Sequence, residues 1–157
     1  MITVAGRVEA APETVWRFMG ALDRWDRMLP TIDAISRVDG GGPAIGVGAR
    51  FRVRQPGLAP AVYEVTDWRP NAGFTWQARS VGVTTVAAHT LRPDGTGTQV
   101  GLSITWTGPG AWPARALFTR KTRAFLAGEL AAFARLATQE QSPPGGSRRE
   151  SRSGDGE

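Results

Sequence analysis

Residues 112–137 read WPARALFTRKTRAFLAGELAAFARLA, and after Pro113 only Gly128 interrupts the run of helix-compatible residues. At about 100° per residue, Phe118, Phe125, Leu126, Leu130, Phe133 and Leu136 share one stripe, with Arg115, Arg120, Arg123 and Arg135 outside it. This pattern predicts a long amphipathic helix, from about Trp112 to Ala137, with one face buried. What precedes it is a series of short alternating segments, so the helix closes a β-run. An α+β layout follows, in which the helix stripe must find its partner on the sheet.

Working back from the helix, Gly108-Pro109-Gly110 separates it from Val100, Leu102, Ile104 and Trp106, which alternate along a last strand. Pro93-Asp94-Gly95-Thr96-Gly97 is a hairpin signal, and Val83 to Leu91 reads as the strand before it. Phe74, Trp76 and Ala78 alternate after the turn Trp68-Arg69-Pro70-Asn71-Ala72-Gly73. Ala61, Tyr63 and Val65 alternate after Pro56-Gly57, and Phe51 and Val53 oppose Arg50, Arg52 and Arg54 after Gly46-Val47-Gly48. Ile32 to Val38 makes the remaining segment, closed by Asp39-Gly40-Gly41-Gly42-Pro43. Strands joined by short Gly/Pro turns imply an antiparallel meander.

At the start, Ile2, Val4, Gly6 and Val8 alternate with polar or small residues and predict an opening strand. Pro12 and Glu13 suit the first turn of a helix carrying Val15, Phe18, Met19 and Leu22. Asp23 is placed to cap a second short helix, with Trp25, Met28 and Leu29, that Pro30 ends. Beyond Thr138 the sequence becomes QEQSPPGGSRRESRSGDGE, without one large apolar residue. Such a segment cannot bury enough surface to offset its ordering entropy, so residues 139–157 are expected to be a disordered tail behind a domain of residues 1–138.

A chain of 157 residues with 41% hydrophobic and 21% charged residues is long enough for one real core. Six Trp and six Phe against a single Tyr suit a core or cavity with large flat walls. With no Cys, disulfides and thiolate metal sites are excluded. The net charge is +5, and Lys121 is the only Lys beside 18 Arg, which reads first as GC-rich coding. Arg50, Arg52 and Arg54 along one strand, and Arg115, Arg120, Lys121 and Arg123 on the helix, read as solvent faces, so nucleic acid is not the expected partner. No basic start followed by an apolar run opens the chain, and the uncharged stretch from Gly95 to Ala114 is too rich in Gly, Thr and Pro to span a bilayer. A cytoplasmic protein without stable membrane insertion, monomeric or weakly dimeric, is expected.

Several short motifs follow one another in a telling order: Ala11-Pro12-Glu13-Thr14-Val15-Trp16, Asp23-Arg24-Trp25, Gly46-Val47-Gly48, Trp68-Arg69-Pro70 before Phe74-Thr75-Trp76, and Asp94-Gly95-Thr96-Gly97-Thr98-Gln99-Val100. Over residues 1 to about 137 this layout resembles the SRPBCC superfamily, the START and birch-pollen-allergen helix-grip fold, and within it the bacterial polyketide cyclase/dehydrase-like branch. The resemblance implies a curved antiparallel sheet wrapped around the long C-terminal helix, two short helices after the first strand, and an apolar cavity between sheet and helix. Members bind lipids, sterols, hormones or polyketides, and some catalyse ring closure or dehydration. The oxygenases of the superfamily carry an iron–sulfur domain with Cys ligands, and a chain without Cys does not belong with them.

His89 is the single His and, counted by two from Leu91, falls on the concave face with Ala87 and Thr85. Glu129 lies within about 20° of Phe118 on the helical wheel, among apolar residues, where a carboxylate is costly unless paired or facing a ligand. His89 and Glu129 are therefore the candidate acid/base residues. Phe51, Tyr63, Phe74, Trp76, Ala87, Leu102, Ile104, Trp106, Thr122, Phe125 and Leu126 are the remaining candidates to line a cavity, and the aromatic ones equally suit a plain core. Trp25, Met28 and Leu29 are expected at the cavity's lip. A lone His makes a metal site improbable, and no cofactor is expected; neither a nucleophile elbow nor a phosphate loop is present. Two functions stay open: binding of a small, mainly hydrophobic ligand (polyketide-, lipid- or sterol-like), or a polyketide aromatase/cyclase or dehydratase using His89 and Glu129. A protein-interaction module is a third.

Overall fold

The computed structural model describes residues 1–141. Strand β1 (Ile2–Val8) is followed by helix α1 (Pro12–Met19), a single 3-10 turn (Leu22–Arg24) and the short helix α2 (Trp25–Met28). Then come β2 (Ala34–Arg37), β3 (Arg50–Arg54), β4 (Ala61–Arg69), β5 (Gly73–Ser80), β6 (Val83–Asp94), β7 (Gly97–Thr107) and the long helix α3 (Ala111–Gln141). The seven strands form one antiparallel sheet in the order β1-β7-β6-β5-β4-β3-β2. Consecutive strands from β2 onward are neighbours, and most of their connections are short, although residues 38–49 separate β2 from β3. The exception is β1, which pairs with β7 from Ile2 opposite Ile104 to Val8 opposite Thr98. The two short helices carry the chain from that edge to the opposite one, where β2 begins.

Pro12 opens α1 after an extended Ala11, with Glu13 in the first turn and Arg17 in the last, as the helix dipole favours. Asp23 does not cap α2: it lies within the 3-10 turn, and Arg24 holds the cap position without a side-chain hydrogen bond. The long helix packs mainly on β1, α1 and β7, with Leu126, Glu129, Phe133 and Ala137 on its buried side. It also runs to Gln141, past the expected domain end at residue 138. Gln141 Nε2 donates to Thr14 Oγ1 at 3.1 Å and Glu140 pairs with Arg17, so the last turn docks on α1. The rest of the expected tail, residues 142–157, lies outside the described residues.

Alternation sets the core. Phe51, Phe74 and Leu102 are fully buried from the sheet and Phe133 from the helix. Each such side chain contributes about 1.5–3 kcal/mol relative to exposure. At Thr66 the alternation changes phase: Val65 faces Trp76, but Asp67 faces Thr75, leaving one residue of β4 over. This bulge swings Trp68 to the side of Phe74, 5.6 Å between ring centres, and against Trp16 at 4.8 Å. Trp68, expected in a turn, is thus strand and core margin.

Trp25 corrects the expectation of a flexible lip. It is 1% exposed, with its ring centre 5.2 Å from Trp76, 5.8 Å from Phe133 and 5.9 Å from Phe74. Its indole N–H donates to the Met19 carbonyl at 3.2 Å, which satisfies the polar atom that burial would otherwise strand. Leu29 is buried as well, and Met28 packs partly against the same cluster.

Candidate functional site

The pairing of β6 with β5 and β7 sets the concave face: Thr85 lies beside Trp106, Ala87 beside Ile104 and Trp76, and His89 beside Leu102 and Phe74. Near the start of α3 the helix stands off from this face, leaving a cavity of about 220 Å³. The sheet contributes Tyr63, Ser80, Val83, Thr85, Ile104 and Trp106, and the β3–β4 loop contributes Gln55 and Leu58. From the helix come Ala114, Phe118, Thr122, Phe125, Leu126 and Glu129. Phe118 is 39% exposed, which marks the mouth.

A smaller chamber of about 30 Å³ adjoins it, sharing Gln55, Tyr63, Ile104, Leu126 and Glu129 as walls. Its other walls are Ile32, Val53, Trp76, Ala87 and His89, all buried, so it is the inner end. Here the two candidate acid/base residues meet. His89 Nε2 stands 3.7 Å from Glu129 Oε2, and their side chains are 3% and 8% exposed. That separation is too long for a direct hydrogen bond. Glu129 Oε2 and His89 Nδ1 have no hydrogen-bond partner among the described residues.

The imidazole is held by packing rather than by polar contacts. It stacks on Phe74 with ring centres 4.2 Å apart and planes 9° from parallel, and Trp25 lies 5.5 Å away on a tilt. Glu129 acts on a third group: burial, and then its negative charge, push the Tyr63 hydroxyl up to about 12. At neutral pH Tyr63 is therefore a donor. The chamber brings together one carboxyl, one imidazole and one phenol, a set able to accept and return a proton. Among the described residues no three His, Asp or Glu side chains converge as a metal site would need, and no helix is long and apolar enough to cross a membrane.

The outer cavity takes in Tyr63, Ile104, Trp106, Thr122, Phe125, Leu126 and Glu129 of the residues singled out from sequence, and the inner chamber adds Trp76, Ala87 and His89. Phe51, Phe74 and Leu102 line neither: each is fully buried, packed behind the walls. Gln55 and Leu58 went unread because they sit around the Pro56-Gly57 turn, where no periodicity marks a face. Phe118 was visible in the helix stripe, in line with Glu129, and that alignment was the signal for a wall residue at the mouth.

Residues 1–138 match the family described as polyketide cyclase / dehydrase and lipid transport. No curated protein matches the chain by sequence. Among solved structures, an aromatase/cyclase (Zhui) from a Streptomyces species superposes with a TM-score of 0.73 at 15% identity, over 93% of this chain and 98% of that one. Norcoclaurine synthase from Thalictrum flavum, in complex with dopamine and hydroxybenzaldehyde, gives 0.69 at 16%, over 90% and 88%. The structure of Ara h 8.0201 gives 0.69 at 13%, over 88% and 97%. At these identities the likeness is one of fold. With the seven-stranded sheet, the long C-terminal helix and a family match over almost the whole described chain, the protein belongs to the polyketide cyclase/dehydrase and lipid-transport family of the SRPBCC helix-grip superfamily.

Proposed function

We propose that the protein binds a small, mainly hydrophobic ligand of polyketide-, lipid- or sterol-like character between the sheet and α3, acting in the cytoplasm as a monomer or weak homodimer. The observation that carries this is the cavity of about 220 Å³ walled by Trp106, Ile104, Phe125 and Leu126. A cavity of roughly 150 Å³ already holds benzene, and drug-sized ligands use roughly 300–1,000 Å³. The cavity as it stands therefore suits one or two fused rings, and a full sterol needs the mouth at Phe118 to widen. Native mass spectrometry after gentle purification, with a thermal-shift screen of polycyclic and lipid-like compounds, tests the reading. A retained mass or ligand stabilisation is expected; neither appearing across a broad hydrophobic library would sink it.

A second reading, an aromatase/cyclase or dehydratase, is favoured by the buried side-by-side placement of His89 and Glu129, 3.7 Å apart. Ring closure by aldol addition needs a base to take a proton from the carbon next to a carbonyl and an acid to protonate the alkoxide that forms. Loss of water then needs a second proton removed as the hydroxyl leaves protonated. Glu129 as base and His89 as proton donor and acceptor, with Tyr63 as hydrogen-bond donor, cover these roles. The aromatase/cyclase among the fold neighbours supports the reading by analogy only. His89→Ala and Glu129→Gln are expected to bind ligand but lose turnover by at least about a hundredfold, the usual scale for an acid/base group. Turnover at the wild-type rate in both would remove these residues from the chemistry.

A further inference from the structure

The inner chamber is the buried end of a cavity of mixed polar and apolar lining, and two of its polar atoms have no hydrogen-bond partner among the described residues. Glu129 is 94% buried by its 6% exposure and His89 97% buried by its 3%, yet Glu129 Oε2 and His89 Nδ1 lack hydrogen-bond partners among the described residues, and Nε2 stands 3.7 Å from Oε2, beyond hydrogen-bond distance. A buried acceptor left unmatched costs roughly 1–3 kcal/mol, and more when charged. Beside the apolar walls Ile32, Val53, Ala87, Ile104 and Leu126 the chamber carries Gln55, Tyr63 and Trp76, and none of them forms a hydrogen bond with Glu129 Oε2 or His89 Nδ1. A group brought into the chamber can supply the missing partner of Glu129 Oε2, whereas His89 Nδ1 faces away from that gap.

The group that fits is narrow. A gap of 3.7 Å leaves room for one oxygen atom set off the line between them, at hydrogen-bond distance from both Glu129 Oε2 and His89 Nε2. The carboxylate only accepts, so that oxygen must carry a hydrogen; in the tautomer with its proton on Nε2 the imidazole donates, so the oxygen must also offer a lone pair. A hydroxyl does both. An ether or a ketone leaves Glu129 unmatched, and a hydrocarbon leaves both. We infer that the inner chamber is a subsite for a single hydroxyl, phenolic or alcoholic, at the buried end of an otherwise apolar ligand whose body lies against Trp106 and Phe125. This rests on the binding reading above and narrows it to hydroxylated ring compounds.

The test uses the wild-type protein with β-naphthol, its methyl ether and naphthalene, each titrated calorimetrically, then repeated with Glu129→Leu and Glu129→Gln. β-Naphthol is expected to bind the wild type about tenfold or more tighter than either analogue, the scale of a hydrogen bond to a charged acceptor. Glu129→Leu should reduce that ratio to about twofold or less and favour naphthalene; Glu129→Gln, which keeps a neutral acceptor, should fall between. Naphthalene is smaller and the methyl ether larger than β-naphthol, so no monotonic dependence on size produces the expected order. If all three compounds bind the wild type equally, or if the preference survives Glu129→Leu, the hydroxyl subsite is wrong while the apolar cavity stands. Binding of none of them overturns both.

Discussion

Tyr63 is the only tyrosine in the chain, so its ionisation is directly visible in the ultraviolet. It lines both chambers, and burial with the nearby Glu129 charge raises its hydroxyl to about 12 from the ordinary 10. The native tyrosinate band is therefore expected to rise around pH 12, and to move part of the way back in Glu129→Gln. Since the fold favours the neutral phenol, the unfolded chain releases this proton first. Stability is then unaffected below about pH 10 and declines as pH climbs toward about 12, a limb that Tyr63→Phe should lack. A native midpoint near 10 would mean that the hydroxyl is open to water. At Glu129 the expectation is different in kind: Glu129→Leu removes a buried unmatched carboxylate, and should leave stability within about 1 kcal/mol of wild type or raise it. A loss above about 2 kcal/mol in urea unfolding would reveal a structural partner for the carboxylate.

Among the elements, the β5–β6 hairpin sets the position of His89. Gly73 begins β5 at φ 133°, and a Cβ there would meet the His89 carbonyl oxygen at 2.0 Å, a backbone atom that cannot turn aside. Gly73→Ala should therefore cost more than about 2 kcal/mol and displace His89, read together from unfolding and from the imidazole NMR signals. A fully stable variant with those signals unmoved would contradict the geometry. Trp25→Ala should cost about 3–5 kcal/mol, since the ring touches Phe74, Trp76, His89 and Phe133 at once. A thermal midpoint unchanged from wild type would rule out a core position for this ring. The strands were legible because period-two alternation puts Tyr63, Trp76 and Ala87 on one face. It gives no warning of an extra residue, so the bulge at Thr66 and the inward turn of Trp68 were not legible. The segment around Trp25 is too short to show a helical period, and only packing against the sheet decides which way it faces. On α3 the stripe placed Glu129 among buried residues, while Phe118 on the same stripe is partly exposed because the helix start overhangs the sheet.

For the whole molecule, the order of segments was enough to read a sheet wrapped on a terminal helix, because short turns force neighbouring strands to pair and the stripe must be covered. The cavity was legible only through resemblance. Its size depends on how far α3 stands off from β6 and β7, a distance set by side chains far apart in sequence, such as Thr85 and Phe125. For the same reason Phe51, Phe74 and Leu102, inward by count, are packing rather than lining. We propose that this gap receives an apolar ring system with its polar end at His89 and Glu129. A crystal structure of the protein grown with β-naphthol tests it most directly. Density for the rings between Trp106 and Phe125, with the hydroxyl between Glu129 Oε2 and His89 Nε2, is the predicted result. Density for β-naphthol only on the outer face of the sheet, with side chains filling the gap beneath α3, would contradict it.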